Sequence, residues 1–421
     1  MNLFIKGITI ADPTSEFNQQ TCNVRVEKGE ITAISSQLTP IKTDRVFDGE
    51  GSVLSPGFFD LNCVVGDPGL ETREDLNTAT ATAKAGGFTA IAVMPNAKPV
   101  VQSKGQVEYI LNKVRNHLVD VYPIGAVSNE LAGKELAELY DMKNAGAVAF
   151  SDGDSPITDD GFMSRALQYA QGFNGLLMVY PENKSIAGKA QINESANSIL
   201  LGMKGLPALA EEMHIARDIY LASYHDAPIH ISTISTASSV ALIKKAKKDG
   251  VKITCDVAAH QLVLTEDLLN DFDSNYKVKP PLRSKSDIKA LLGGLKDGTI
   301  DAICSQHRPH EIEYKDVEFE HASYGIIALQ TVLPFLVKAG LSADTIAEKL
   351  AINPRKLLGL PIPAIKVGEV ANFVIYDPSK QWSFNATTNH SKSNNSPLYG
   401  KTLTGKVQLV YNNNQFENYE Q

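Results

Sequence analysis

From Pro56 to Ser305 the chain alternates short apolar runs with longer amphipathic stretches, and this alternation constrains the fold more than any other feature. An apolar run followed by a helix-length segment, repeated many times, is typical of parallel βα units. Eight such runs are present, and eight parallel strands close a barrel. The sequence therefore predicts an α/β fold, a (β/α)₈ TIM barrel, with a doubly wound open sheet as the alternative. The predicted strands are Phe58 to Val64, Phe88 to Met94, Val119 to Ile124, Ala147 to Ser151, Leu176 to Tyr180, Pro228 to Ser232, Val251 to Val257 and Ile300 to Ser305.

Both ends of the chain carry a different pattern of short alternating strands separated by turn formers. The first fifty residues hold four such segments, and the last fifty return to strands near Asn372 to Tyr376 and Lys406 to Tyr411. We expect the two ends to meet in one small β-sandwich. The predicted domains are a composite sandwich of residues 1–55 plus 360–421, and a barrel of residues 56–359.

The composition is that of an ordinary globular protein, with 43% hydrophobic and 21% charged residues. A net charge of −8 provides no basic surface for nucleic acid or an anionic membrane. The four cysteines lie far apart without a CxxC pair, which favours reduced core thiols over a thiolate metal site. Neither a secretory leader nor an apolar run of roughly 18 residues is recognisable, so we expect a cytoplasmic protein.

Several segments carry a resemblance that covers most of the chain in the expected order. Together they resemble the dihydroorotase family of cyclic amidohydrolases, which implies the barrel, the terminal β-sandwich and a zinc hydrolase active site. The segments are SPGFFDLNCVVGDPG (55–69), AVMPNAKP (92–99), VAFSDGDSP (148–156), KVKPPLR (277–283), DGTIDAICSQHRPH (297–310), VANFVIYDP (370–378) and SKSNNSPLYGKTLTGKV (391–407).

The resemblance also shows where this chain departs from the family. Family members bind one or two zinc ions at the carboxyl ends of the barrel strands, through histidines and carboxylates that suit that metal. Each matching position here holds another residue type, including a neutral amide where an aspartate acts as ligand and general base. We therefore expect no catalytic residue and no metal cofactor, and zinc only if the chain is an active enzyme after all. The altered ligand positions are Asn62, Val64, Gly153, Tyr180, Thr233 and Gln306, the last being the general-base position.

The substrate-binding positions implied by the family are only partly retained. Gly66 replaces an arginine that pairs with the substrate carboxylate, and Lys279 stands where asparagine is usual. Asn96 and His310 match the family and are candidate substrate-binding residues, although we favour a role in anchoring loops for both.

Other polar residues near the predicted strand ends could belong to an altered site. Asp60 is expected to hydrogen-bond neighbouring loops, and Asp152 and Asp154 lack the imidazole partners of a transition-metal site. A relocated metal site would have to use the remaining histidines near strand ends. These are His230, His260, His307 and His310.

Three hypotheses of function follow. The first is a non-catalytic homologue that supports aspartate transcarbamoylase, as inactive dihydroorotase-like chains do. The second is an active dihydroorotase or related cyclic amidase with a relocated metal site. The third is a sensor that binds dihydroorotate or carbamoyl aspartate without turnover. In each case we expect a homo-oligomer, with no nucleic acid or membrane partner.

Overall fold

A computed structural model describes residues 2–420, and its strands form a large parallel sheet, a second sheet built from both chain ends and a separate two-stranded sheet. The strands are, in chain order, β1 (Asn2–Ile10), β2 (Thr21–Glu27), β3 (Glu30–Ser35), β4 (Arg45–Asp48), β5 (Val53–Pro56), β6 (Phe58–Cys63), β7 (Phe88–Val93), β8 (Asp120–Gly125), β9 (Ala149–Phe150), β10 (Leu177–Val179), β11 (Ile192–Asn193), β12 (Gly205–Leu206), β13 (Ile229–Ile231), β14 (Ile253–Ala258), β15 (Ala302–Cys304), β16 (Phe373–Ser383), β17 (Thr402–Asn412) and β18 (Gln415–Asn418).

Helices fill the connections between the barrel strands. Many begin at a side-chain cap: Asp75, for example, accepts a hydrogen bond from the Thr78 backbone N–H at the start of α1. A π-helical turn at Glu348–Ile352 joins α11 to α12. The α-helices are α1 (Leu76–Ala85), α2 (Lys104–Lys113), α3 (Leu139–Ala145), α4 (Asp160–Gln171), α5 (Lys184–Ala187), α6 (Ala196–Leu200), α7 (Ala208–His225), α8 (Ala237–Lys248), α9 (Lys285–Lys296), α10 (Val332–Lys338), α11 (Ala343–Ala347) and α12 (Asn353–Leu358).

The parallel sheet is the predicted barrel. Its eight strands run in the order β15-β14-β13-β10-β9-β8-β7-β6, and each predicted strand contains or overlaps an observed one. Strands such as β7 are buried at every position and largely apolar, because both faces of a parallel sheet are covered. The first and last strands are joined where Cys63 bridges His307 and where the Asp60 carboxylate accepts two 2.6 Å hydrogen bonds from Ser305. Asp60 therefore closes the barrel, which confirms its predicted role as a hydrogen-bonding residue.

The second sheet unites the two chain ends. Its order is β18-β17-β16-β5-β1-β2-β3, with β4 paired to β1. The predicted union of the ends is therefore confirmed, whereas the strands β5 and β18 were not predicted. The exact domain boundaries, 1–55 plus 360–421 and 56–359, stay a prediction.

One predicted helix is largely absent from the fold. The pattern around Ala322 to Ala339 predicts a helix, but only Val332–Lys338 is α-helical. Ile326 instead forms a parallel bridge with His307, and the backbone N–H of Ala328 donates to His307 Nδ1 at 3.0 Å. These contacts with the last barrel strand hold the segment in a non-helical conformation. Within residues 2–420, no helix combines the length and hydropathy needed to cross a bilayer.

Candidate functional site

The altered ligand positions lie at the carboxyl ends of the barrel strands, as predicted. This end of a (β/α)₈ barrel is where active sites form, because loops from many strands converge there. All of these positions are buried except that of Val64, which is partly exposed. Hydrogen bonds and close contacts link several of them, and Thr233 is linked separately through its backbone N–H to Asp256 at 2.7 Å. We call this region the barrel mouth.

The residues at the barrel mouth do not fit a zinc ion. Val64 and Gly153 have no side-chain donor, and Asn62, Thr233 and Gln306 offer only neutral oxygens. Burial, reinforced by nearby carboxylates, raises the pKa of Tyr180 well above its usual value, so in the metal-free site this side chain is a neutral phenol. Within the described chain, no group of three or more His, Cys, Asp or Glu is arranged to hold a metal ion.

A guanidinium group occupies the centre of the barrel mouth. Arg308, which is only 6% exposed, donates to both carboxylate oxygens of Asp154 at 3.0 and 2.9 Å. The same side chain donates to Asn62 Oδ1 at 2.7 Å and to the His307 carbonyl at 3.0 Å. Burial is the largest influence on Asp154 and acts to raise its pKa, but the charge and hydrogen bonds of Arg308, together with the nearby charge of Lys279, outweigh it and the pKa lies below its usual value. Arg308 was not predicted as a site residue, although its place in the QHRPH segment could have indicated it.

A second ion pair lies beside the first. Lys279 Nζ is 2.9 Å from Glu182 Oε1 and 5.2 Å from the centre of the Tyr180 ring. Gln306, at the general-base position, donates its side-chain N–H to the Lys279 carbonyl at 2.7 Å. The positions of Tyr180 and Gln306 are thus brought together by Lys279, the residue that replaces the usual asparagine.

The two candidate substrate-binding residues retain unpartnered acceptor atoms. His310 Nε2 is 2.9 Å from the Tyr324 carbonyl, which requires a proton on Nε2 and leaves Nδ1 as a buried acceptor without a partner. Burial lowers the pKa of His310 to about 4, so the ring is neutral at pH 7. The Oδ1 atom of Asn96 is also buried without a partner, next to Gly153. A binding role for Asn96 and His310 stays a prediction.

The histidines proposed for a relocated metal site have different hydrogen-bond partners. Both ring nitrogens of His230 are used, one at 2.9 Å from Thr254 Oγ1 and the other at 2.9 Å from Asp256 Oδ2. His307 accepts backbone hydrogen bonds through Nδ1, and both nitrogens of His260 are buried without partners. Among residues 2–420 no three of the His, Cys, Asp and Glu side chains are grouped as a metal site, and a relocated metal site at these histidines stays a prediction. The four cysteines are free and buried, as expected of core thiols.

Asp152 is also a structural residue. Its carboxylate accepts hydrogen bonds of 2.9 Å from the backbone N–H groups of both Val127 and Ser128. These contacts join the loop after β9 to the loop after β8. Asp152 therefore holds two loops of the barrel mouth together.

Comparison of the whole fold with solved structures finds structures that superpose over nearly the entire chain. The L-hydantoinase (dihydropyrimidinase) of Arthrobacter aurescens superposes with a TM-score of 0.85 at 23% identity, covering 98% of this chain and 95% of that one. The dihydropyrimidinase of Brevibacillus agri NCHU1002 gives a TM-score of 0.81 at 23% identity, covering 100% and 97%. At this identity the likeness establishes the fold alone.

Sequence comparison establishes the family. Residues 51–239 match a family model described as dihydro-orotase-like. The chain is 41% identical over 410 residues to a dihydroorotase of Geotalea daltonii, with 96% of each chain covered. It is also 41% identical over 411 residues to a dihydroorotase of Acetivibrio thermocellus, again with 96% of each covered. The chain belongs to the dihydroorotase family.

Proposed function

We propose that this member of the dihydroorotase family serves pyrimidine biosynthesis without zinc hydrolysis, as a structural or regulatory partner of aspartate transcarbamoylase. The observation that carries the proposal is the barrel mouth, where Arg308 and its partners stand among ligand positions that cannot bind zinc. The side chains at these positions lack good zinc-donor atoms by their chemical nature, whatever their conformation.

The remaining carboxylates of the barrel mouth offer no free general base. Asp154 is bound to Arg308, and Glu182 is paired with Lys279. Asp256 accepts from the Thr233 backbone and lies against His230. The side chain of Gln306 is a neutral amide that cannot take up the proton released from attacking water. Losing one such component commonly lowers a rate by factors on the order of 100, and here they are all altered.

The partner is proposed by analogy with inactive dihydroorotase-like chains that assemble with aspartate transcarbamoylase. The chain keeps the family fold over its whole length but lacks the ligand set. This combination is expected of a protein whose role depends on its surface or framework and not on zinc chemistry. We expect the chain to form a homo-oligomer and to reside in the cytoplasm. Mixing the purified protein with aspartate transcarbamoylase tests the partner, since a stoichiometric complex in size-exclusion chromatography supports it and two separate peaks contradict it.

The second candidate function is an active dihydroorotase. The comparisons favour this candidate, because proteins named dihydroorotase are about 40% identical over nearly the whole chain. In that reaction water adds to the cyclic amide carbonyl of dihydroorotate, the ring C–N bond breaks and N-carbamoyl-aspartate forms. The chain would need a water-activating arrangement different from the family's ligand set.

An activity assay separates the two candidates. Both directions of the reaction are measured with and without added zinc, beside the Geotalea daltonii dihydroorotase as a positive control. No turnover above background supports the non-catalytic proposal, whereas turnover that follows metal content supports the enzyme. A thermal shift with dihydroorotate in metal-free protein tests a third role, ligand sensing, because only a bound ligand raises the melting temperature.

A further inference from the structure

Arg308 connects the ends of three barrel strands that supply metal ligands in the family. It donates to Asn62, which is itself an altered ligand position at the end of β6. Its carboxylate partner Asp154 follows Gly153, the altered position after β9. Arg308 itself lies two residues beyond Gln306, the altered position after β15. One guanidinium thus connects the ends of three strands at which the family is expected to hold its metal.

The backbone around Arg308 is shaped to admit this side chain. Gly325 adopts φ +117°, and a β-carbon there would lie 2.8 Å from Cγ of Arg308. Any other residue at position 325 would therefore collide with the arginine and adopt an unfavourable backbone conformation.

The strand-end carboxylate has also moved by one position relative to the family motif. Gly153 has φ +61°, and a β-carbon there would lie 2.6 Å from Nδ2 of Asn96. The carboxylate stands instead at Asp154, where it forms two hydrogen bonds with Arg308. Asp154 and Arg308 therefore form an ion pair at the strand end. Loss of the metal ligands alone would not place a carboxylate and an arginine against each other.

We propose that the Arg308 guanidinium is an internal cation that takes the place of the metal and excludes zinc from the barrel mouth. This inference rests on the proposed function, because it presumes that the native chain carries no hydrolytic zinc. An arginine remains charged at all physiological pH values, and its planar fork suits a carboxylate and an amide oxygen together. The barrel mouth therefore keeps a guanidinium cation, paired with the Asp154 carboxylate, that neither chelation nor physiological pH can remove.

Restoring the family ligands with and without the arginine tests the exclusion of zinc. The starting variant combines Asn62→His, Val64→His, Tyr180→His, Thr233→His and Gln306→Asp, and leaves Gly153 unchanged because Asn96 blocks it. The second variant adds Arg308→Ala. We expect zinc to bind at least tenfold more tightly to the second variant, as measured by metal competition. Equal zinc affinities in the two variants would overturn the proposal.

A thermal double-mutant cycle tests the pair even if the multiple variant does not fold. Asp154→Asn strands a buried guanidinium, and we expect the melting temperature to fall by about 3 to 6 °C. The double variant Asp154→Asn with Arg308→Met should recover at least half of that loss. The control is Glu311→Gln, which leaves Arg73 without its carboxylate partner at the same 2.9 Å distance. The Arg73 side chain is 25% exposed, compared with 7% for Arg308, so water can solvate it and we expect a loss under about 1 °C.

The outcomes distinguish this inference from the proposed function. An Asp154→Asn loss no greater than that of Glu311→Gln, or strictly additive losses in the double variant, would overturn the role of Arg308 while leaving the non-catalytic proposal intact. Stoichiometric zinc and turnover in the native protein would overturn both. Native protein without zinc, a large loss for Asp154→Asn and recovery in the double variant support the internal cation.

Discussion

Gly66 packs against the backbone of Leu70 so closely that a β-carbon at position 66 would overlap the Leu70 carbonyl oxygen. Its backbone N–H donates to the Glu74 carbonyl at 3.0 Å, and the same β-carbon would lie only 2.9 Å from that oxygen. By the resemblance to the family, a substrate-binding arginine is expected at position 66. The close packing of this loop leaves no room for a side chain there unless the backbone shifts.

This contact predicts the effect of adding one methyl group. Gly66→Ala should lower the free energy of unfolding by about 2 kcal/mol, because the backbone must shift to remove the overlap. Gly105→Ala is the matched control, since position 105 lies in helix α2 with open space around it and should gain about 0.5 to 1 kcal/mol. Urea unfolding measures both. Equal effects of the two substitutions would contradict the close packing at Gly66.

Thr233 carries a backbone strain that a different residue should relieve. Its φ of +52° is unfavourable for a β-branched side chain, and its buried hydroxyl has no partner. Thr233→Asn should raise the free energy of unfolding by about 1 kcal/mol, because asparagine tolerates the left-handed conformation. Thr233→Val keeps the branching and removes only the hydroxyl. A larger gain for valine in thermal unfolding would show that the hydroxyl, and not the backbone, is the source of the instability.

His260 predicts a pH dependence of stability. Burial, helped by the charge of Arg308, lowers the pKa of His260 from 6.5 to about 3. Between these two values the unfolded chain binds one more proton than the folded chain. The contribution of His260 to the free energy of unfolding is therefore complete above pH 6.5 and is lost as the pH falls toward 3. At pH 5 the free energy of unfolding should be lower by about 2 kcal/mol than at pH 7.5 because of this group.

The substitution His260→Asn removes this proton uptake. Between pH 6.5 and pH 5 the free energy of unfolding of the variant should fall less steeply with pH than that of the native protein. The difference between the two slopes should be about 1.4 kcal/mol per pH unit. His321→Asn, at an exposed position, is the matched control. An unchanged pH profile for His260→Asn would mean that the folded state does not exclude the proton.

The fold could be predicted because its signal is repetitive. Eight apolar runs separated by helical stretches define a barrel even when individual boundaries differ by one or two residues. Strand β5 has only four residues, and its pairing with β1 and β16 depends on contacts distant in sequence. The segment before Val332 has a helical pattern, but its contacts with His307 determine its conformation.

The site could be predicted only in part. The motif spacing identified which positions end the strands, and those residues do lie at the barrel mouth. The spacing carried no information on what replaces the ligands, because the pairing of Arg308 with Asp154 and Asn62 joins residues between 92 and 246 positions apart in sequence. In the sequence, an arginine between a histidine and a proline gives no indication of burial. Arg308 is buried only because the strands of the barrel come together around it.

The measurement that tests the central claim most directly is zinc content and dihydroorotase turnover on the same preparation of native protein. The protein is saturated with zinc, desalted, analysed for metal and assayed in both directions beside an active family member. The account predicts substoichiometric zinc and no turnover above background. One zinc or more per chain, with turnover lost on chelation and regained with metal, would contradict it.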